Sequence, residues 1–454
     1  MIFCCNFSLY KEGISGHTCT WIKDRTMDYQ LRCWLYHLYM LLSHLLILNC
    51  SCLPKPSLSL ESPPITANST FDKSFLGLDK CNACIGTSIC KKFFKEEIRF
   101  ESWLSFHLKL PSNYQTYYLG SYTDDGKKWK PIIISRLLSQ KQSVESDKRI
   151  CDFGLKKDTC SIENILRGTD RVYKWMKADR LTPDLVRGLS SPMLWCPSQR
   201  LLDRIVRRYV EVLDAGSILM KHFTEKDKLR LLYTLSVNTH PIILQVFPGS
   251  EGWPFPKYIG SCGRTIVIAS TQPIKTFYNS TPDVVADIAY QVLHITNFLR
   301  NNDFNYSLFY THVHSDMFGL VKDGRVLVTD ASTIGVLDKQ GGQLMPNEFQ
   351  PNKDVFTCLT SDCNTTLPTC SSIHDVQSLE MVCKHILPKL ITNKFPVMMQ
   401  QKIDTQLKIC GNSSFSDHTI LKSALTLLEL LKQLRSCDTR FFYRYPECKY
   451  SDKY

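Results

Sequence analysis

The residues best suited to chemistry lie between positions 310 and 332, in the stretch YTHVHSDMFGLVKDGRVLVTDAS. His312, His314 and Asp316 precede one apolar run, and Asp330 follows the next. Imidazole titrates near neutral pH and carboxylates bind metal ions, so the pattern suits a site for phosphate and metal. The alternative is an ordinary surface hairpin in which Asp330 caps the next turn.

A β-hairpin is predicted to position these side chains. Apolar runs at 317–321 and 325–329 flank an Asp-Gly pair, which is the strongest short-range hairpin signal. A long amphipathic helix comes before the hairpin. Thr281 is its predicted N-cap, Pro282 its first residue, and apolar residues recur at three- and four-residue spacing to about Arg300.

The other patterns place most strands in the first part of the folded body and most helices in the last part. Short apolar or β-branched runs predict strands at 117–122, 131–137, 240–247, 258–263 and 265–269. Apolar spacing predicts helices at 201–213, 224–237, 375–392 and 417–434, the second with Thr224 as N-cap. The rest of 340–416 is expected to be looped, and 139–200 shows no clear pattern.

The composition is that of a globular protein that can bury a large core. The chain has 454 residues, of which 43% are hydrophobic and 22% charged. The formal net charge is +12, but the basic residues are spread along the chain and no nucleic-acid-binding motif occurs. We therefore expect no nucleic-acid partner.

The cysteines indicate an oxidising compartment. The chain has 20 of them, six before residue 53. An even number in a globular body favours disulfides, up to seven here, over a zinc site, which would need more than the one CxxC motif present. The pairing cannot be deduced from the sequence. The candidates are Cys81, Cys84, Cys90, Cys151, Cys160, Cys196, Cys262, Cys358, Cys363, Cys370, Cys383, Cys410, Cys437 and Cys448.

The N-terminal region is predicted to direct the chain into the secretory pathway. An apolar run from 34 to 48 has a basic residue before it and small residues after it, and it is short for a membrane span. We interpret 27–52 as a signal peptide, with an uncleaved signal anchor as the alternative. Residues 1–26 form an upstream extension, with Met27 the usual start. The Pro- and Ser-rich segment 53–78 is a predicted linker.

Glycosylation motifs agree with a lumenal location. Five Asn-X-Ser/Thr sequons follow the apolar run, at Asn68, Asn279, Asn305, Asn364 and Asn412. No second hydrophobic run of spanning length follows, so we expect no stable membrane span in the mature chain. The expected location is the Golgi lumen or the cell exterior.

Three stretches carry a resemblance to a known family. CNACIGTSICKKF, HPIILQVFPGSEGWPFPKYIGSCGR and HVHSDMFGLVKDGRVLVTDASTIGV resemble the divergent protein kinase family of the secretory pathway, and within it the deleted-in-autism-related (divergent protein kinase domain 2) group. The resemblance runs from about residue 80 to the C-terminus. It implies a disulfide-rich α+β protein with a two-lobed, protein-kinase-like fold. The cysteine-rich start and β-rich N-lobe would span 79–270, and the helical C-lobe 271–454.

The resemblance also assigns roles around the hairpin. Asp330 matches the metal-binding aspartate of kinases. Counting back at kinase spacing places the catalytic aspartate at His312 and the metal-binding asparagine at Met317, which cannot hold magnesium. His312 could act as a base instead, and Asp316 could restore the metal site if the loop is offset. His314 is most simply a loop histidine.

The remaining kinase parts are degraded or unclear. Lys221 is a candidate for the lysine that binds the nucleotide phosphates, but the better strand, 131–137, would put Ser135 or Arg136 there. The expected position of the glutamate that pairs with this lysine holds Leu231. No glycine-rich GxGxxG loop occurs.

The predicted function is therefore that of a secreted or Golgi-lumen glycoprotein, a pseudokinase that works as a binding or signalling module with a protein partner or receptor. One alternative is an active atypical kinase for secretory-pathway proteins or glycans, using ATP with Mg²⁺ or Mn²⁺ and with His312 or Asp316 as the base. Another is a structural disulfide-rich extracellular protein with no nucleotide pocket.

Overall fold

The computed structural model describes residues 73–78, 84–100, 117–153, 160–189, 191–209, 218–341, 359, 370 and 373–435. They belong to one compact unit, Ser69–Tyr454. The predicted segments 1–26 and 27–52 and most of the linker 53–78 lie outside the described residues. So do Asn68, Asn364, Cys81, Cys358, Cys363, Cys437 and Cys448.

A five-stranded antiparallel sheet organises the first half of the fold. Its strands are β1 (Ile98–Phe100), β2 (Tyr117–Tyr122), β3 (Lys130–Arg136), β4 (Tyr258–Cys262) and β5 (Thr265–Ala269). They pair in the order β1-β2-β3-β5-β4. The isoleucines and valine of β3 and β5 are buried on both faces of the sheet, a setting that suits β-branched residues. The strands predicted at 117–122, 131–137, 258–263 and 265–269 are confirmed.

Helices precede the sheet and fill the long connection between β3 and β4. They are α1 (Lys73–Leu76), α2 (Cys90–Phe94), α3 (Gln140–Phe153), α4 (Ile162–Arg167), α5 (Asp170–Lys177), α6 (Pro183–Val186), α7 (Gln199–Arg208), α8 (Glu225–Val237) and α9 (His240–Val246). Thr224 caps α8 in a reciprocal capping box with Asp227, as its position predicted. The helix predicted at 201–213 is α7, which ends earlier, at Arg208.

The strand predicted at 240–247 is wrong, because this segment is helix α9. All seven residues of α9 are buried, so no polar face reveals its period, and a short apolar run cannot be assigned by periodicity alone. Pro241 lies in the first turn of the helix, where proline is tolerated because its missing N–H has no helical partner.

The second half is predominantly helical. It contains α10 (Pro282–Arg300), α11 (Gln377–His385), α12 (Leu387–Ile391), α13 (Val397–Cys410) and α14 (Asp417–Leu434). The helices predicted from Thr281 and at 417–434 are confirmed, and the one predicted at 375–392 is two helices that meet at Ile386. Helix α13 was expected to be a loop. Its buried stripe includes Gln400 while Val397 and Met398 are exposed, which hides the helical period.

Short strands form and surround the predicted hairpin. These are β6 (Gln272–Pro273), β7 (Tyr306–Tyr310), β8 (Phe318–Leu320), β9 (Val326–Val328) and β10 (Ile334–Asp338). The predicted hairpin is β8–β9, and β6 pairs with β8 while β7 pairs with β10. Gly324 turns the hairpin with φ +77°, a conformation that favours glycine. Strand β8 begins one residue later than predicted because Ser315–Met317 forms a 3₁₀ turn.

Disulfides form, as the cysteine count predicted, and two of those described join distant parts of the chain. Those between described residues are Cys90–Cys262, Cys151–Cys160, Cys196–Cys370 and Cys383–Cys410. Together with the sheet and the helical second half, they confirm a disulfide-rich α+β fold. The lobe boundary at residue 270 stays a prediction. Among the described helices, none has the length and apolar character needed to cross a membrane.

Candidate functional site

A cleft of about 410 Å³ lies where the sheet faces the hairpin. The sheet contributes the apolar side chains of Leu119, Ile133 and Ile268, and the hairpin contributes Phe318. This volume is within the range of small-molecule sites, which are mostly apolar with a few placed polar groups. The polar groups of this cleft are Tyr117, Ser135, Arg136, Asn238, His240, Thr271, His314, Asp316, Thr329, Asp330 and Ser332.

Asp330 is held by the backbone and turned toward the cleft. The N–H of Thr329 donates to the Met317 carbonyl at 2.7 Å, and the N–H of Ser332 donates to Asp330 Oδ1 at 2.9 Å. The Asp330 side chain remains 39% exposed, and its Oδ2 lies 3.9 Å from Nε2 of His314. The hairpin therefore delivers a carboxylate to the cleft, as the sequence predicted.

His240 is a cleft residue that the sequence did not reveal. Its Nδ1 accepts a hydrogen bond of 2.9 Å from the N–H of Ala331, so this nitrogen carries no proton. Burial lowers the pKa of His240, and the nearby Asp330 carboxylate offsets only part of that shift. The 3.9 Å approach of Nδ1 to Asp330 Oδ1 is thus not an ion pair. His240 positions the backbone directly after Asp330.

The stability of the protein should depend on pH through His240. Its pKa is lower in the folded protein than in the unfolded chain. Near pH 6.5 the unfolded chain therefore binds a proton that the folded protein does not bind, and stability should fall as pH drops from about 7 through about 6.5. Asn can offer its Oδ1 to the Ala331 N–H without titrating. His240→Asn should therefore flatten this part of the pH profile, measured as melting temperature from pH 7.5 to 5.5. An unchanged slope would contradict the assignment.

Asp316 and His312, the two candidate bases, lie in different settings. Asp316 lines the cleft, but its carboxylate pairs with Lys275 at 2.8 Å, and this hydrogen bond raises the pKa of Lys275. Both side chains are about half exposed, so the pair contributes little stability. His312 is exposed and is not among the residues that line the cleft. His314, which the sequence analysis interpreted as a simple loop histidine, is the histidine of this loop that lines the cleft.

The cationic part of the site differs from that of a kinase. Ser135 occupies the cleft-facing position of β3, and Lys221 is an exposed residue of a 3₁₀ turn outside the cleft lining. No lysine is among the described residues that line the cleft. Arg136 does line it, but it donates to the Phe75 carbonyl at 3.1 Å, and its guanidinium lies 4.6 Å from the centre of the Phe75 ring. The arginine is therefore anchored to α1.

The described donor set does not fit a magnesium–nucleotide complex. Met317, at the position expected for a metal-binding asparagine, is fully buried. Within the described ranges, no group of three or more His, Cys, Asp or Glu side chains is arranged to hold a metal ion. Around Asp330 stand the imidazoles of His240 and His314, whereas Mg²⁺ prefers oxygen ligands.

A first half built around an antiparallel sheet, a helical second half and a cleft that contains a hairpin-borne aspartate define a protein-kinase-like protein. Residues 232–413 match the family model described as the protein-kinase domain of FAM69. The chain belongs to the divergent protein kinase domain 2 family, because relatives in that family are more than 50% identical to it over most of its length.

The reported relatives match between 64% and 90% of the chain. Divergent protein kinase domain 2B of Homo sapiens is 55% identical over 408 residues, which cover 90% of this chain and 94% of that protein. The 2B protein of Mus musculus is 53% identical over 392 residues, covering 86% and 90%. Divergent protein kinase domain 2A of Xenopus tropicalis is 36% identical over 291 residues, covering 64% and 67%.

Proposed function

We propose that this protein is a pseudokinase of the secretory pathway that works as a binding or signalling module and transfers phosphoryl groups weakly or not at all. One observation carries the proposal. The cleft presents the carboxylate of Asp330, whereas the β3 residues that line it are Ile133, Ser135 and Arg136, and no lysine is among the described lining residues.

Electrostatics explain why this arrangement is unsuited to ATP. A nucleotide triphosphate carries several negative charges, which kinases neutralise with a lysine and metal ions. Here His240 is neutral, and Arg136 is held by Phe75. Lys275, next to the cleft, pairs with the Asp316 carboxylate. A triphosphate beside Asp330 would therefore have to draw its cations from groups that already have partners. Loss of such preorganised charges removes several kcal/mol of transition-state stabilisation.

An active atypical kinase is the second candidate. The observation that favours it is the grouping of Asp330, Asp316 and His314 around one cleft. Mixed carboxylate and imidazole ligands suit Mn²⁺ and other transition metals better than Mg²⁺. In this alternative Asp316 would leave Lys275 to serve as a base or as a second metal ligand.

Thermal melting with ATP separates the two candidates. A ligand at one hundred times its Kd stabilises the folded state by about 2.7 kcal/mol, which is a rise of a few degrees for a domain of this size. We expect the melting temperature to stay unchanged with ATP and either Mg²⁺ or Mn²⁺. A metal-dependent rise would favour the active kinase.

The proposed lumenal or extracellular location is supported by the disulfides and the sequons. Disulfides persist in oxidising compartments, and those described here link residues as far apart as Cys196 and Cys370. Asn279 and Asn412 are exposed. Asn305 is half-buried in a left-handed turn with φ +60°, and the hydroxyl of its sequon belongs to the buried Ser307.

Glycosidase treatment tests that location. Secreted protein should lose apparent mass, and Asn279→Gln and Asn412→Gln should each remove one glycan. Asn305→Gln should leave the mass unchanged, because Asn305 is half-buried and the hydroxyl of its sequon, on Ser307, is buried. A band that glycosidase does not shift in the wild type would contradict lumenal exposure.

A further inference from the structure

We propose that residues 191–208, here named the anchor segment, hold the stretch 330–338 in one fixed conformation by binding one end directly, at Asp338, and the other end indirectly, through α9. The anchor segment precedes and includes α7, in the long connection between β3 and β4. This conformational device is independent of whether the cleft binds a nucleotide.

The first end is held through α9. The Ser191 hydroxyl donates to the Thr239 hydroxyl at 2.8 Å in a fully buried contact directly before α9. At the other end of α9, Nε of Arg204 donates to the Val246 carbonyl at 3.1 Å. The anchor segment thus fixes the helix whose His240 accepts the Ala331 N–H.

The second end is held directly at Asp338, whose side chain is only 1% exposed. Ser198 Oγ donates to Asp338 Oδ2 at 2.6 Å, and Nε of Arg200 lies 3.0 and 2.9 Å from the two carboxylate oxygens. Arg200 also donates to the Asn305 carbonyl at 3.0 Å and lies 4.0 Å from the centre of the Tyr306 ring. A planar guanidinium makes all these contacts at once, which a lysine cannot.

The anchor segment is itself covalently restrained. Cys196, two residues before Ser198, forms a disulfide with Cys370 across a sequence separation of 174. The Trp195 and Phe309 rings also pack, with centroids 6.3 Å apart. The segment is therefore tied to the second half of the chain close to Ser198, which contacts Asp338.

The consequence concerns how this region is ordered. In protein kinases the segment after the metal-binding aspartate is commonly ordered by phosphorylation, because arginines bind the added phosphate. Here the chain supplies its own buried carboxylate, Asp338, and its own arginine, Arg200. The conformation of 330–338 should therefore need no phosphorylation.

Amide hydrogen exchange of the full-length, phosphatase-treated protein tests whether the anchor segment holds 330–338 in place. Arg200→Met should accelerate exchange of amides in 331–338 at least tenfold relative to wild type. Arg207→Met, an exposed arginine of the same helix, is the matched control and should leave exchange unchanged. The proposal would be overturned if folded Arg200→Met exchanged amides in 331–338 at the wild-type rate. It would also be overturned if these amides exchanged slowly in untreated wild type but fast after phosphatase treatment.

Milder variants keep the test decisive if Arg200→Met does not fold. Arg200→Lys keeps the charge but loses the bidentate geometry, and it should still accelerate exchange of 331–338 several-fold. Cys196→Ala with Cys370→Ala should do the same, whereas Cys151→Ala with Cys160→Ala should not. The proposal would be overturned if amides in 331–338 exchanged at the wild-type rate in Arg200→Lys and at the same rate in the two disulfide variants.

Discussion

Arg200→Met is expected to lower the free energy of unfolding by about 3 kcal/mol. Breaking a buried ion pair by removing one partner costs roughly 3–5 kcal/mol, because the other charge stays buried without compensation. The Asp338 side chain is 1% exposed but that of Arg200 is 36% exposed, which places the estimate at the low end. Denaturant unfolding would measure the loss, with Arg207→Met as a control expected to change stability by less than about 0.5 kcal/mol.

A double variant separates the buried charge from the lost packing of Arg200. If the cost comes from an uncompensated carboxylate, adding Asp338→Asn to Arg200→Met should recover about 1 kcal/mol or more. Further destabilisation on adding Asp338→Asn would show that Asp338 is stabilised by other contacts. An effect of Arg200→Met no larger than that of Arg207→Met would contradict the account of the pair.

The pair also predicts a pH dependence. Burial opposes ionisation of Asp338, but hydrogen bonds from Arg200 and Ser198 outweigh it and hold the pKa of Asp338 below its ordinary value. A lowered aspartate pKa gives stability that is present above about pH 4 and is lost as pH falls further through the folded-state pKa. Wild type should lose more stability than Arg200→Met over that acid range.

Removing the Cys90–Cys262 disulfide is expected to have the second large effect. The bond joins α2 to β4 across a sequence separation of 172, whereas Cys151–Cys160 spans a separation of 9. In the chain-entropy model, loops of these lengths are worth roughly 5 and roughly 2.5 kcal/mol. Double alanine variants should therefore differ by about 2.5 kcal/mol in denaturant unfolding.

The comparison of the two variants controls for the loss of cysteine itself. Alanine avoids placing a hydroxyl at Cys262, which is fully buried. A smaller loss for Cys90→Ala with Cys262→Ala than for Cys151→Ala with Cys160→Ala would contradict the role assigned to the long-range bond.

Local signals predicted the elements that have one clear period or one clear cap. The helix at 417–434 has a continuous apolar stripe, Thr224 has its capping box, and the Asp-Gly hairpin delivers Asp330. Such features depend on neighbours in sequence, so they can be read without the tertiary structure. The fold class was implied by the family resemblance of three stretches, not by these local signals alone.

The rest of the site depends on contacts between distant residues. His240 looked like the head of a strand because α9 is buried on every side, and its role depends on Ala331, 91 residues away. Arg200 and Asp338 are 138 residues apart in sequence, so no local pattern predicts that they pair. For Ser135, the sequence supplied the candidate position, but only the fold shows that it faces the cleft and Lys221 does not.

The most direct test of the pseudokinase proposal compares wild type with Asp330→Ala in ATP melting, with Mg²⁺ and separately with Mn²⁺. Asp330 is the open carboxylate of the cleft, so any metal-bound nucleotide should depend on it. An active Mg²⁺-dependent kinase melted under the same conditions supplies the positive control. The proposal predicts no ATP-dependent shift in either protein; a rise of a few degrees in wild type that requires metal and disappears in Asp330→Ala would contradict it.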